Sequence, residues 1–132
     1  MNIDTDWEKY TGGPFVAFAD RMYVTLSGKG KLLLNRKAYA TIGKPQRVLV
    51  YFNRKKETIG VRPAYERLAE AFPVRETGES FVFYIGNFLR HFGIKLSTTE
   101  KFVSPDISDD GILVLDLTNT VTVSGFKRKQ RK

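Results

Sequence analysis

The side chains in this sequence that could do chemistry are mostly cations, and they come in clusters. Lys29, Lys31, Arg36 and Lys37 crowd the passage from one short apolar run into a short helical stretch. Arg54, Lys55 and Lys56 follow one another in a polar turn, and Arg90 stands in a second helical stretch. The chain closes on Lys127, Arg128, Lys129, Arg131 and Lys132. Ammonium and guanidinium groups so grouped attract phosphates and displace the counterions condensed on a polyanion. A solvated face, a hairpin tip or a solubility tail presents the same residues, so spacing alone leaves both readings open.

Other chemistries find little footing. His91 is the single histidine and there is no cysteine, so the common zinc and iron ligand sets cannot be assembled. Asp106, Asp109 and Asp110 lack the spacing and closing glutamate of an EF-hand loop. Gly28-Lys29-Gly30 is too short for a phosphate loop, and no serine sits in a nucleophile elbow. The expectation is therefore a protein that is not an enzyme, with no cofactor and no small-molecule substrate. The aromatics from Tyr23 to Phe92 fall at core periodicity; Tyr39 and Tyr51 are the two expected to show a face to solvent.

The elements that must position these cations form a repeating pattern. Lys31–Leu34 is a compact apolar strand, and Asn35 offers a side-chain acceptor to a helix running from Arg36 to Ile42. Gly43 supplies a left-handed stop. Gln46–Phe52 and Thr58–Arg62 read as the arms of a hairpin around the polar Asn53–Glu57 turn, closed by Pro63. The pattern returns about fifty residues later. Ser80–Ile85 takes the place of the first strand, and Gly86–Gly93 matches Arg36–Gly43 at a shift of 50, with Phe88 for Ala38, Leu89 for Tyr39 and Phe92 for Ile42. Thr98–Val103 and Ile112–Leu117 stand for the second hairpin's arms, around a longer turn. Met22–Leu26 reads as an entering strand and Thr118–Phe126 as a last edge strand. Between the copies, the stretch 63–72 has Tyr65, Leu68, Ala69 and Phe72 on one helical face and predicts a connector helix, with Val74–Glu79 a linker. The first 21 residues, with Trp7, Tyr10, Phe15 and Phe18 broken by Gly12-Gly13-Pro14, predict an irregular arm that packs on the body or on a second chain.

Bulk composition sets the frame. The chain has 132 residues, 42% of them hydrophobic, enough for one domain with a real core. Net charge is +8, but the last six residues hold five of the 22 basic side chains, so a mildly basic body carries a strongly basic tail. No apolar run reaches the roughly 20 residues of a membrane span, and the acidic start lacks a signal peptide's cationic region. A soluble, cytoplasmic protein is expected.

The central stretch resembles the AbrB/MazE-type swapped-hairpin domain, a small DNA-binding β-barrel of microbial regulators and antitoxins. The resemblance rests on Gly30-Lys31-Leu32-Leu33-Leu34, the helix Arg36–Ile42 ending at Gly43, and the hairpin Val48–Val61. Two copies in one chain are similar to the arrangement of MraZ-like proteins. In that family proline is usual where Asn35 stands here, and the DNA-facing arginines fall where this chain has Tyr39 and Ala40; the second copy has Leu89 and Arg90.

The resemblance implies a mainly β (α+β) fold, a swapped-hairpin β-barrel of two strand–short helix–hairpin repeats with a connector helix. Residues 1–126 would form a single domain with repeats at about 22–63 and 80–117, and 127–132 a basic disordered tail. It implies a transcriptional regulator that binds duplex DNA through basic corners of the barrel, possible as a homodimer and away from membranes. The alternative is an interaction or structural module that keeps the barrel without the DNA face.

Overall fold

Strand alternation builds the molecule. The structure is a computed structural model and describes residues 21–123; the arm before Arg21, and the tail with Lys127, Arg128, Lys129, Arg131 and Lys132, lie outside the described residues. In chain order the elements are β1 (Val24–Leu26), β2 (Lys31–Leu34), α1 (Arg36–Thr41), β3 (Arg47–Asn53), β4 (Thr58–Pro63), β5 (Phe72–Pro73), β6 (Arg75–Thr77), β7 (Ser80–Tyr84), α2 (Gly86–Phe92), β8 (Glu100–Phe102), β9 (Asp106–Ile107), β10 (Leu113–Asp116) and β11 (Thr120–Thr122).

The fold is mainly β, in two antiparallel sheets. One runs β11-β8-β1-β2-β7-β6 and the other β5-β3-β4-β10-β9. Both halves of the chain contribute to each sheet: β1 and β2 lie between β8 and β7, and β4 pairs with β10. Paired residues share a face, which sorts the core. Leu32 opposite Phe83 and Leu26 opposite Leu32 point inward in the first sheet; Val61 opposite Leu113 and Ile59 opposite Leu115 do so in the second. These residues join Val24, Leu34, Val48, Ile85 and Phe102 in one buried cluster that takes side chains from both sheets.

The two short helices fall where the shift of 50 puts them. Their ends match bond for bond. Gly43 and Lys44 donate to the carbonyls of Ala40 and Tyr39, both at 3.0 Å, and Gly93 and Ile94 donate to those of Arg90 and Leu89 at 3.2 and 2.9 Å. Gly43 and Gly93 take the left-handed conformation these caps require, at φ 93° and 70°. Their starts differ. Asn35 Oδ1 accepts from the Ala38 amide at 2.9 Å, whereas α2 begins at Ile85 with no side-chain cap.

Three expectations are corrected. Among the described residues the two sheets do not close into a barrel: their outer strands β5, β6, β9 and β11 are only two or three residues long and leave the edges unjoined. The second repeat has no hairpin like β3–β4, because β8 joins the first sheet and β10 the second. The connector helix over 63–72 is absent. Both ends of that stretch are fastened to β3 instead, by the Ala64 amide on the Arg47 carbonyl and the Val74 amide on the Gln46 carbonyl, each at 2.9 Å. Pro63 and Phe72-Pro73 are drawn into β4 and β5, and the expected linker becomes edge strand β6. Pairing against an existing strand has outweighed a ten-residue helical propensity that no partner surface supports.

Candidate nucleic-acid interface

Every cation named from the sequence within the described residues is exposed. The question is which of them share a surface. Lys29 lies in the β1–β2 turn and Lys31 opens β2, whereas Arg36 and Lys37 form the first turn of α1 beyond the other end of that strand. At about 3.3 Å per strand residue, the Lys31 and Arg36 backbones stand about 15 Å apart. The single corner expected from the sequence is thus divided in two.

Strand pairing reassigns each half. β7 runs antiparallel to β2, with Lys31 opposite Tyr84, so the turn end of β2 meets the start of α2. Ile85 N–H donates to the Gly30 carbonyl at 2.8 Å. A Cβ built on Gly86 would lie 3.2 Å from the Lys29 carbonyl oxygen and 3.6 Å from a guanidinium nitrogen of Arg90. Arg90 is held over that spot by a hydrogen bond to Asn87 Oδ1. Lys29, Lys31 and Arg90 therefore belong to one end of the first sheet, although some sixty residues separate the first from the last.

The other pair finds acids. Leu34 lies opposite Phe81 and Thr77 opposite Ser80, which brings the β6–β7 turn, with exposed Glu76 and Glu79, to the α1 end. Glu76 is felt there. The Tyr39 phenol is pushed above its ordinary value, first by burial and then by the Glu76 charge. The α1 end of β2 thus holds carboxylates of the β6–β7 segment as well as the cations Arg36 and Lys37.

The third patch is tied to α2 as well. The Arg54 guanidinium lies 5.5 Å from the Phe92 ring centroid and 5.9 Å from that of Phe52, within cation–π range. Lys55 and Lys56 follow it in the β3–β4 turn, which Asn53 Oδ1 closes by accepting from the Lys56 amide at 3.0 Å. Lys95 lines the same cavity as Arg54 and Phe92. Sequence reading passed over Lys95 because it stands alone among apolar and polar residues, with no cluster to mark it.

Two aromatic expectations separate. Tyr51 is exposed at 47%. Tyr39 is packed: its ring stacks on Phe81 at 3.9 Å between centroids, and its hydroxyl donates to the Pro45 carbonyl at 2.6 Å. His91 is exposed and meets Phe92 edge-on at 4.7 Å. Among the described residues there is no group of three histidines or carboxylates that could hold a metal, and no helix long and apolar enough to cross a membrane.

No family model, curated protein or solved structure matches the chain.

Proposed function

We propose that the chain binds duplex DNA through a band of cations along α2, in the manner of an AbrB-like regulator. The observation that supports this reading most is the convergence of Lys29 and Lys31, Arg90 and Arg54 on one seven-residue helix from three separate parts of the chain. A phosphate backbone needs such spaced, exposed donors, and the band supplies them on long side chains. The exchange of strands between the chain's two halves follows the folding logic of swapped-hairpin domains, and it supports that resemblance in the two-sheet form described above. The basic tail adds non-specific affinity. A gel-shift titration with duplex DNA at two salt concentrations tests the reading: discrete complexes that weaken steeply with salt are expected, and no binding at low salt overturns it.

A second reading has its own observation. Of the large hydrophobic side chains that are exposed, Tyr84, Val103, Val121 and Val123 all lie on the face of the first sheet turned away from the core. That face suits a second copy of this chain in an interaction module. Sedimentation analysis of the full chain and of Val121→Lys separates the two: a dimer lost in the variant favours the module, and a monomer in both disfavours it.

A further inference from the structure

The half-buried aromatics beside Arg54 are arranged as a platform rather than as sealed core. Phe52, Phe88 and Phe92 form a ring cluster, with Phe92 5.0 Å from each of the other two and Phe52 6.3 Å from Phe88. Only Phe88 is fully buried; Phe52 and Phe92 keep part of their rings in water. A cavity of about 430 Å³ opens beside them, walled by Leu96 and Leu117 and bordered by Arg54, Lys95 and Glu57. Leaving two rings at an open cavity forfeits about 25 cal/mol for each Å² that could have been covered. The occupant that complements this wall has a flat apolar face and carries negative charge within reach of two cations.

We infer that the Phe52–Phe92 cavity accepts an unstacked nucleobase of a single strand, with Arg54 and Lys95 on the flanking phosphates. This deepens the nucleic-acid reading and rests on it, since the cations at the cavity mouth are continuous with the α2 band. A base in a duplex already has both faces stacked and cannot enter. A base in a single strand has a free face, and stacking on an aromatic side chain is tolerant of sequence. The guanidinium of Arg54, already laid against both rings, extends the same stacking surface.

The test uses the full chain and fluorescence anisotropy with three labelled probes of matched charge: a short single strand, the same strand made abasic throughout, and a duplex. The base-bearing strand is expected to bind about tenfold or more tightly than the abasic one. Phe92→Leu, which keeps bulk but removes the ring, is expected to abolish that difference, with a smaller loss for the duplex and for the abasic strand, whose phosphates still meet Lys29, Lys31 and Arg90. Should Phe92→Leu fail to fold, Lys95→Glu on the exposed rim serves instead, with a larger loss expected for the single strand than for the duplex. Equal affinity for the base-bearing and abasic strands overturns the inference, and duplex binding in that same experiment leaves the broader reading standing. A mononucleotide that competes as well as the strand also overturns it, by making the cavity a nucleotide site. If no probe binds at low salt, both readings fall together.

Discussion

Gly30 and Gly86 meet backbone to backbone. A Cβ on Gly30 would lie 2.5 Å from the Gly86 amide nitrogen and 2.6 Å from its Cα, closer than any side chain allows. This contact seats the β1–β2 turn on the start of α2, and so it brings Lys29 to Arg90. Gly30 also holds φ at 96°. Gly30→Ala therefore meets both a steric clash and backbone strain, and should cost more than about 2 kcal/mol. Gly78, at φ 63° with open space around its Cβ position, is the control, and Gly78→Ala should cost only about 1 kcal/mol. Urea denaturation of the two variants measures the difference; equal losses would mean that the Gly30–Gly86 approach is not tight in solution.

Asn35 does three jobs in one buried side chain. Its Oδ1 accepts from the amides of Ala38 at 2.9 Å and Tyr23 at 3.1 Å, and its Nδ2 donates to the Arg21 carbonyl at 2.7 Å. Asn35→Ala strands two amides in a site that is 5% exposed, and should cost about 2–4 kcal/mol, beyond the usual loss of a helix cap. Asn35→Asp keeps the accepting oxygen but sets a second carboxylate oxygen against the Arg21 carbonyl in a buried site, so it should recover only part of the loss. If alanine costs no more in thermal melts than the usual helix cap, the amides of Ala38 and Tyr23 are not left stranded.

The packing of Tyr39 gives a contrast with Ile42, which is 4% exposed at the end of the same helix. Ile42→Ala should cost about 2–5 kcal/mol. Tyr39→Phe keeps the stack on Phe81 and loses only the bond to the Pro45 carbonyl, for about 0.5–1.5 kcal/mol. Denaturant midpoints of the two variants rank them, and a larger loss for Tyr39→Phe would contradict the structure.

Asn35, Gly43 and Gly93 mark which parts of this fold were legible. Caps and stops are local chemistry, and the strands flanking them follow from short apolar and aromatic runs that a short window contains. The stretch 63–72 was not legible, because its fate depends on Gln46 and Arg47, which capture both of its ends from a distant strand. The grouping of the candidate site's cations was hidden in the same way. Lys31 and Arg36 are neighbours in sequence and sit at opposite ends of β2, while Lys29 and Arg90 are far apart in sequence and share a surface. The β2–β7 register decides both outcomes, and it is a long-range pairing set by two inward faces rather than by any residue in the cation cluster.

Glu100 carries a pH prediction. Its carboxylate accepts from the hydroxyls of Thr98 at 2.5 Å, Thr120 at 2.9 Å and Thr122 at 3.1 Å, fastening edge strand β11 to β8. These bonds, that of Thr98 first, hold its carboxyl below the ordinary 4.5. A folded-state value below the unfolded one means stabilisation that is present above pH 4.5 and lost as pH falls through the depressed value. Because the group keeps part of its surface in water, which screens it, the effect should be small. Glu100→Gln should lower the melting temperature slightly at neutral pH and fall less steeply on acidification. Asp116, held down by the Thr118 hydroxyl and amide, keeps its own acid dependence in both proteins. Parallel acid limbs for the two proteins would remove Glu100 from the account.

The division of the basic corner makes the sharpest prediction for binding. If α2 carries the phosphate contacts, then Lys29, Lys31 and Arg90 act together, and Arg36 and Lys37, at the sheet end that also holds Glu76 and Glu79, contribute less. Each phosphate neutralised steepens the fall of log K with log salt by about 0.9. A Lys29→Gln, Lys31→Gln, Arg90→Gln variant should therefore flatten the slope by up to about 2.7 and abolish discrete duplex complexes. The Arg36→Gln, Lys37→Gln variant should keep discrete complexes and most of the slope. Removal of residues 127–132 should flatten the slope yet leave measurable binding, because it takes away five cations and leaves the band along α2 in place. All five positions on the body are exposed, so the variants are expected to fold, and circular dichroism checks that they do. Should the Arg36–Lys37 variant lose complexes first, the α1 corner is the reader. Should tail removal alone eliminate binding, the body is not a DNA reader, and the apolar face around Val121 becomes the surface to pursue.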